Sequence, residues 1–201
     1  MNNLLSTKYR PSKLNEIIGQ DHLIGSNKIL TNMLEKKQLL SMILYGNSGC
    51  GKTTIALALI NELQLPYKMI NATSTNKKEL DTIFMESKMY PTLILVIDEI
   101  HRLNKDKQDL LLPKLEDGSI VLIGLTTSNP FFAINPAIRS RVILLEVKKI
   151  NNDDIIQQIN RVVNESDYQI EENCTKFIAN HSNGDLRTAY NLLQAGMINA
   201  K

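Results

Sequence analysis

Apolar residues along this chain gather in short runs separated by longer stretches with helical spacing. Apart from Ser41 and Glu146, residues 41–45, 93–97, 120–125 and 142–147 are consecutive rather than alternating apolar stretches. Such runs predict strands covered on both faces, as in a parallel sheet under flanking helices. A further strand is expected at 67–71. Between the runs, residues 54–63, 77–89 and 105–115 carry apolar positions at helical intervals. Strand and helix in alternation predict an α/β fold built on a five-stranded parallel sheet. The texture changes after residue 150. Segments 153–163, 171–181 and 185–196 are helical in spacing with no strand between them, so a main domain over 1–150 and a small all-α domain over 151–201 are expected. The charge changes at the same place. Four Lys or Arg against seven Asp or Glu after residue 150 leave −3 there and +5 before it.

The residues that follow the first run carry the clearest chemistry. Gly46-Asn47-Ser48-Gly49-Cys50-Gly51-Lys52-Thr53 fits G-x-x-x-x-G-K-[ST]. Glycines allow the backbone to wrap phosphates and aim amide N–H groups at them, and the next helix adds its positive dipole end. Lys52 is suited to the β- and γ-phosphates and the Thr53 hydroxyl to Mg²⁺, with Thr54 opening the helix. A strand before the loop and a helix after it is the setting this chemistry requires. Cys50 within the loop reads as a small spacer open to thiol modification.

The most apolar run ends in Asp98-Glu99. A carboxylate at the C-terminal end of a strand beside a phosphate loop can organise Mg²⁺, which assigns Asp98 to the metal. An adjacent glutamate can polarise a water for attack on the γ-phosphate, which assigns Glu99 to the chemistry. An acidic turn capping the next helix is the plainer alternative; the accompanying phosphate loop argues against it.

The rest of the composition narrows the class. At 201 residues and 43 % hydrophobic the chain can bury a substantial core, and a net charge of +2 does not by itself announce a nucleic-acid binder. Aromatics are 5 % with no Trp, so stacking platforms for bases are not evident. Cys50 and Cys174 form neither a metal motif nor a disulfide framework, and His22, His101 and His181 lack metal-ligand spacing. His101 is expected to hydrogen-bond near the Asp98–Glu99 turn. No stretch approaches the 18 apolar residues of a membrane span, and the N-terminus lacks a signal core; a cytoplasmic protein is expected, nucleoid-associated in a bacterium.

Taken in order, YRPSKLNEIIGQ, ILYGNSGCGKTT, ILVIDEIHRLNK, IGLTTSNPFFAINPAIRSR and NGDLRTAYNLL resemble the AAA+ ATPases. DEIHRLNK, LEDG and TTSNPF are similar, more narrowly, to the replication-associated recombination protein A group, whose eukaryotic relative is the Werner-helicase-interacting ATPase. That resemblance implies ATP with Mg²⁺, hydrolysis at forks or in recombination-linked DNA maintenance, and assembly into a tetramer or another ring. DNA forks or single-stranded ends, and replication or repair proteins such as single-strand-binding protein, are the partners it implies. It makes Thr127 the first sensor of the γ-phosphate, with Thr126 or Asn129 as alternatives in register. It makes Arg141 a finger for a neighbour's site, with Arg139 as the fallback and a surface salt bridge as the bland alternative. Arg187 becomes a second sensor in the helical lid. The segment from Tyr9, Arg10 and Pro11 through Ile18, Gly19 and Gln20 becomes the adenine wrap; the guanine-reading N-K-x-D pattern is absent.

Departures from the family pattern are specific. Asn47-Ser48 stands where members carry a Pro pair, and Leu103 where Phe is common. Members also extend into an oligomerisation region past the lid, so an N-terminal ATPase piece with an incomplete lid, or a reduced homologue, is expected. Lys77, Lys78, Lys105 and Lys107 could face DNA phosphates or be solvated and balanced by neighbouring acids. A branch-migration motor would carry an inserted hairpin between Asp98 and Thr127. A bacterial clamp-loader subunit would carry a four-cysteine zinc module, and a small eukaryotic-type one Ser-Arg-Cys instead of Ser140-Arg141-Val142. A structural subunit that binds ATP without hydrolysing it would tend to lose Glu99 or Lys52.

Overall fold

The computed structural model describes residues 4–199. Before the first strand come α1 (Leu5–Lys8), a 3-10 turn at Leu14–Glu16 and α2 (Ile29–Glu35). The main alternation is β1 (Met42–Tyr45), α3 (Lys52–Leu63), β2 (Tyr67–Asn71), α4 (Lys77–Ser87), β3 (Leu93–Asp98), a 3-10 turn at Ile100–Arg102, α5 (Lys105–Glu116) and β4 (Ile120–Thr126). Two one-turn helices, α6 (Pro130–Ala133) and α7 (Pro136–Arg139), lead to β5 (Ile143–Glu146). Helices α8 (Asn152–Asn164), α9 (Glu172–Ser182) and α10 (Leu186–Asn199) follow.

The five strands form one parallel sheet in the order β2-β3-β4-β1-β5. The expected fold class is therefore present. Consecutive apolar residues in the central strands split between two layers because successive side chains point to opposite faces. Met42 and Leu44 join Ile94, Val96, Ile123 and Leu125 beneath α2 and α3, where Leu30, Ile55 and Leu59 are buried. Ile43 joins Leu93, Leu95, Ile97 and Leu122 beneath α4 and α5, where Leu80, Ile83 and Leu111 are buried. β2 lies at an edge and buries only Ile70.

A third apolar cluster unites α8, α9 and α10 through Ile155, Ile159, Val162, Ile178, Ala189 and Leu193. Leu5, Tyr9 and Ile18, from the start of the chain, pack against this cluster rather than against the sheet. The backbone N–H of Leu5 donates to Gln194 on α10 at 3.2 Å.

Five helix starts share one device. Asn76, Asn104, Asn129, Asn135 and Asn151 each accept a backbone N–H with the side chain at the first turn of α4, α5, α6, α7 and α8. A cap of this kind stabilises by about 1 kcal/mol. Asp185 does the same for α10, accepting from the Thr188 N–H at 2.9 Å.

Parallel strands with β1 between β4 and β5 bring the C-terminal ends of β3, β4 and β1 side by side. Ligands of open α/β sheets bind outside those ends. One glycine fixes the geometry there. A Cβ at Gly124 on β4 would stand 2.9 Å from Ile100 Cδ1, so only glycine lets the turn after β3 seat directly on the sheet.

Candidate nucleotide-binding and ATPase site

The loop between β1 and α3 closes around its own lysine. Lys52 Nζ donates to the carbonyl oxygens of Gly46 at 2.9 Å and Asn47 at 2.6 Å. No side chain caps the N-terminus of α3, so its first amide groups remain for a ligand. Gly49 has φ +64°, and a Cβ there would run into the Asp185 carboxylate. The Leu186 N–H also donates to the Gly49 carbonyl at 3.3 Å, so α10 is docked onto the loop at this one glycine. Cys50 is 1 % exposed and its Sγ donates to the Asn47 carbonyl at 2.8 Å. Burial pushes its thiol pKa up. The expected openness to thiol modification is corrected by this packing, since the reactive form is the thiolate.

An open cleft of ≈ 970 Å³, counting space that merges with solvent, runs from this loop to the N-terminal segment. Among the sequence candidates, Ser48, Gly49, Cys50, Gly51, Lys52, Thr53 and Thr54 line it, together with Asp98, Glu99, Thr127, Arg187, Arg10, Pro11 and Ile18. Gly46, Asn47 and Gly19 are not among the residues that line it. Gly19 packs on Ile150, where an added Cβ would come within 3.4 Å of its side chain.

The three first-sensor alternatives separate cleanly by position. Thr127 is exposed and lines the cleft, whereas Thr126 is fully buried with its hydroxyl 2.9 Å from His101 Nδ1. Asn129 is committed to the Phe131 N–H as the cap of α6. Arg141 lies away from the cleft on the outer surface. Its Nε donates to Glu116 at 3.0 Å, its Nη1 to the Ala137 carbonyl at 2.7 Å, and its Nη2 also meets Glu116. Arg139 lies over the Phe131 ring, 5.5 Å from its centroid.

Several cleft residues escaped the sequence reading. Ser6, Ile150, Leu186 and Tyr190 also line the cleft, beside Tyr9 and Ile17 of the expected adenine wrap. Tyr9 and Tyr190 have ring centroids 6.3 Å apart, and burial pushes the Tyr190 phenol up to about 12. Gln20, the last residue of the expected adenine wrap, has a bridging role that the sequence did not show. Its amide nitrogen donates to the carbonyls of Lys148 at 2.9 Å and Cys50 at 3.4 Å, and its oxygen accepts the Lys148 N–H at 3.1 Å. One buried glutamine thereby ties the phosphate loop to the strand leading into α8. The G-Q pair at Gly19-Gln20 was the available signal.

The residues fit a Mg²⁺-nucleoside triphosphate. The loop carries uncapped amides and a lysine, Thr53 and Asp98 line the same cleft, and apolar side chains line the far end.

Comparisons with known proteins agree with this geometry. The family described as the Holliday junction DNA helicase RuvB P-loop domain matches residues 9–135. The chain is 41 % identical to the replication-associated recombination protein A of Bacillus subtilis, over 98 % of its own length and 48 % of that protein. It is 34 % identical to ATPase WRNIP1 of Dictyostelium discoideum, over 94 % of this chain and 23 % of that protein. Among solved structures, the Thermotoga maritima RuvB Holliday junction branch migration motor superposes with TM-score 0.80 at 30 % identity, covering 92 % of this chain and 64 % of that one. The fold and site are those of a P-loop AAA+ nucleotide-binding module. The chain belongs to the replication-associated recombination protein A family of AAA+ ATPases, and spans about half the length of the bacterial relatives it matches.

Proposed function

We propose that this chain is the ATP-binding and ATP-hydrolysing core of a protein that maintains DNA at replication forks and in recombination. The observation that carries this reading is the convergence of Lys52, Thr53, Asp98, Glu99, Thr127 and Arg187 on one cleft. Lys52 and the α3 amides would hold the phosphates, and Thr53 with Asp98 would hold Mg²⁺, which neutralises charge developing on the phosphoryl group. Glu99 accepts the proton of the attacking water, while Thr127 orients that water against the γ-phosphate. Arg187 reaches the same phosphate from the first turn of α10, so its helix acts as a lid over the main domain. Tyr9, Ile18 and Tyr190 form the apolar end suited to adenine.

Arg141 acts on a neighbour's cleft, which accounts for its distance from its own. Hydrolysis therefore belongs to an assembly, in a tetramer or another ring. DNA is the effector: the Lys107 ammonium donates to the Thr75 carbonyl at 2.7 Å, which holds the start of α5 beside the loop leading into α4. Lys77, Lys78 and Lys105 are exposed at those two helix starts, a cluster that can meet phosphates without reading bases. Between Asp98 and Thr127 lie one 3-10 turn, α5 and β4, with no inserted hairpin. This favours the recombination-protein reading over a branch-migration motor.

The test is phosphate release from ATP with and without forked DNA, alongside Glu99→Gln. DNA-stimulated release by the wild type and none by the variant supports the reading. Release unchanged in Glu99→Gln refutes the role of Glu99.

A further inference from the structure

We infer that His101 is the positioning residue for Glu99, donating Nδ1–H toward the glutamate while Thr126 fixes the ring. This rests on the reading of Glu99 as the group that activates water. Glu99 is held in the left-handed region at φ +52°, in the turn that Ile100 seats against Gly124. Its Oε2 is buried yet makes no hydrogen bond, although the side chain keeps 36 % exposure and lines the cleft. A buried carboxylate oxygen without a partner requires an explanation. The facing group is His101 Nδ1, at 3.2 Å but off the line of a hydrogen bond.

The ring itself is fixed from the other side. Thr126 Oγ1 lies 2.9 Å from the same nitrogen, accepts the Ser128 N–H at 3.0 Å and donates to the Ser128 carbonyl at 3.4 Å. With the hydroxyl proton directed at Ser128, Nδ1 supplies the proton for the Thr126 contact. That proton is then shared with Glu99 Oε2. His101 thus holds one carboxylate oxygen and leaves the other for a water in the cleft. Because Thr126 precedes Thr127, a displacement of the end of β4 reaches Glu99 through the imidazole.

Two measurements test this. The chain has three histidines, so long-range ¹H–¹⁵N spectra of histidine-labelled protein can be assigned with His101→Asn. The wild type is expected to show His101 as the Nδ1–H tautomer, with the population moving toward Nε2–H in Glu99→Ala. An Nε2–H ring in the wild type, or one indifferent to Glu99→Ala, overturns the inference. In turnover, His101→Ala is expected to lower kcat about tenfold or more with ATP affinity held within about twofold, because support of a reacting group is lost and ligand contacts are kept. His101→Asn, which can place an amide N–H near the Nδ1 position, is expected to recover most of that loss. Equal loss in both variants, or an unchanged kcat in His101→Ala, overturns it. A wild type that binds ATP and never hydrolyses it refutes the proposed function, while the spectra still decide the His101–Glu99 contact.

Discussion

The two walls of the cleft are built on different principles. The sheet wall takes Lys52, Asp98, Glu99 and Thr127 from the ends of three adjacent strands or the turns just beyond them. Their spacing is set by parallel registers such as Ile43 with Gly124 and Ile97 with Gly124. The helical wall takes Arg187 and Tyr190 from α10, which rests on its own apolar cluster and carries the N-terminal Leu5 and Tyr9 with it. It meets the phosphate loop through Asp185 and Leu186 at Gly49, while Gln20 braces that loop against the strand leading into α8. On the proposed function, the reacting groups belong to the sheet wall, and the helical wall, joined to the loop at Gly49, contributes Arg187.

Changes to single residues can break that division of labour. The largest effect is expected outside both walls: Arg141→Ala should reduce assembled turnover by about 10³-fold or more while leaving ATP binding intact, as removal of a finger in trans does. Rate and equilibrium binding measured on the same preparation check it. On the sheet wall, Glu99→Gln should cost about 10²-fold or more in turnover with binding retained. Lys52→Ala should instead abolish tight binding, read by titration with a fluorescent nucleotide. On the helical wall, Arg187→Ala should weaken triphosphate binding more than diphosphate binding, by about tenfold, as loss of one charge-assisted contact implies. The smallest effect sharpens the junction. Gly49→Ala places a β-carbon against Asp185 in a left-handed conformation and should destabilise by about 1–3 kcal/mol, visible in the thermal midpoint. Because Asp185→Ala also removes the cap of α10, the reference is Asp185→Ala alone: adding Gly49→Ala to it should cost less than Gly49→Ala costs the wild type, by the part due to collision and not the part due to φ.

The same contrast explains what was legible in the sequence. Strands β1, β3, β4 and β5 declared themselves through unbroken apolar runs, and the loop motif and Asp98-Glu99 lay at their ends as expected. The starts of α4 and α5 fell where expected, just after Asn76 and Asn104, whereas the far ends of α4, α5 and α10 drifted by one to three residues. α1 and α2 were not foreseen, because their short apolar faces are completed by distant partners. The place of Tyr190 and the bridging contacts of Gln20 were invisible for a related reason: each depends on a contact across the chain, with Tyr9 and with Lys148. Thr127 was separated from Thr126 only by burial, which a run of hydroxyl residues cannot show.

The most direct test of hydrolysis at a shared interface is subunit mixing. Arg141→Ala retains a complete cleft and lacks the finger; Lys52→Ala retains the finger and lacks nucleotide. Each alone should be inactive. If a finger crosses to the neighbouring cleft, ATP turnover should reappear when the two are mixed, rise with total protein concentration and be stimulated by forked DNA. No recovery at any ratio or concentration would contradict a finger supplied in trans and return Arg141 to its surface pairing with Glu116.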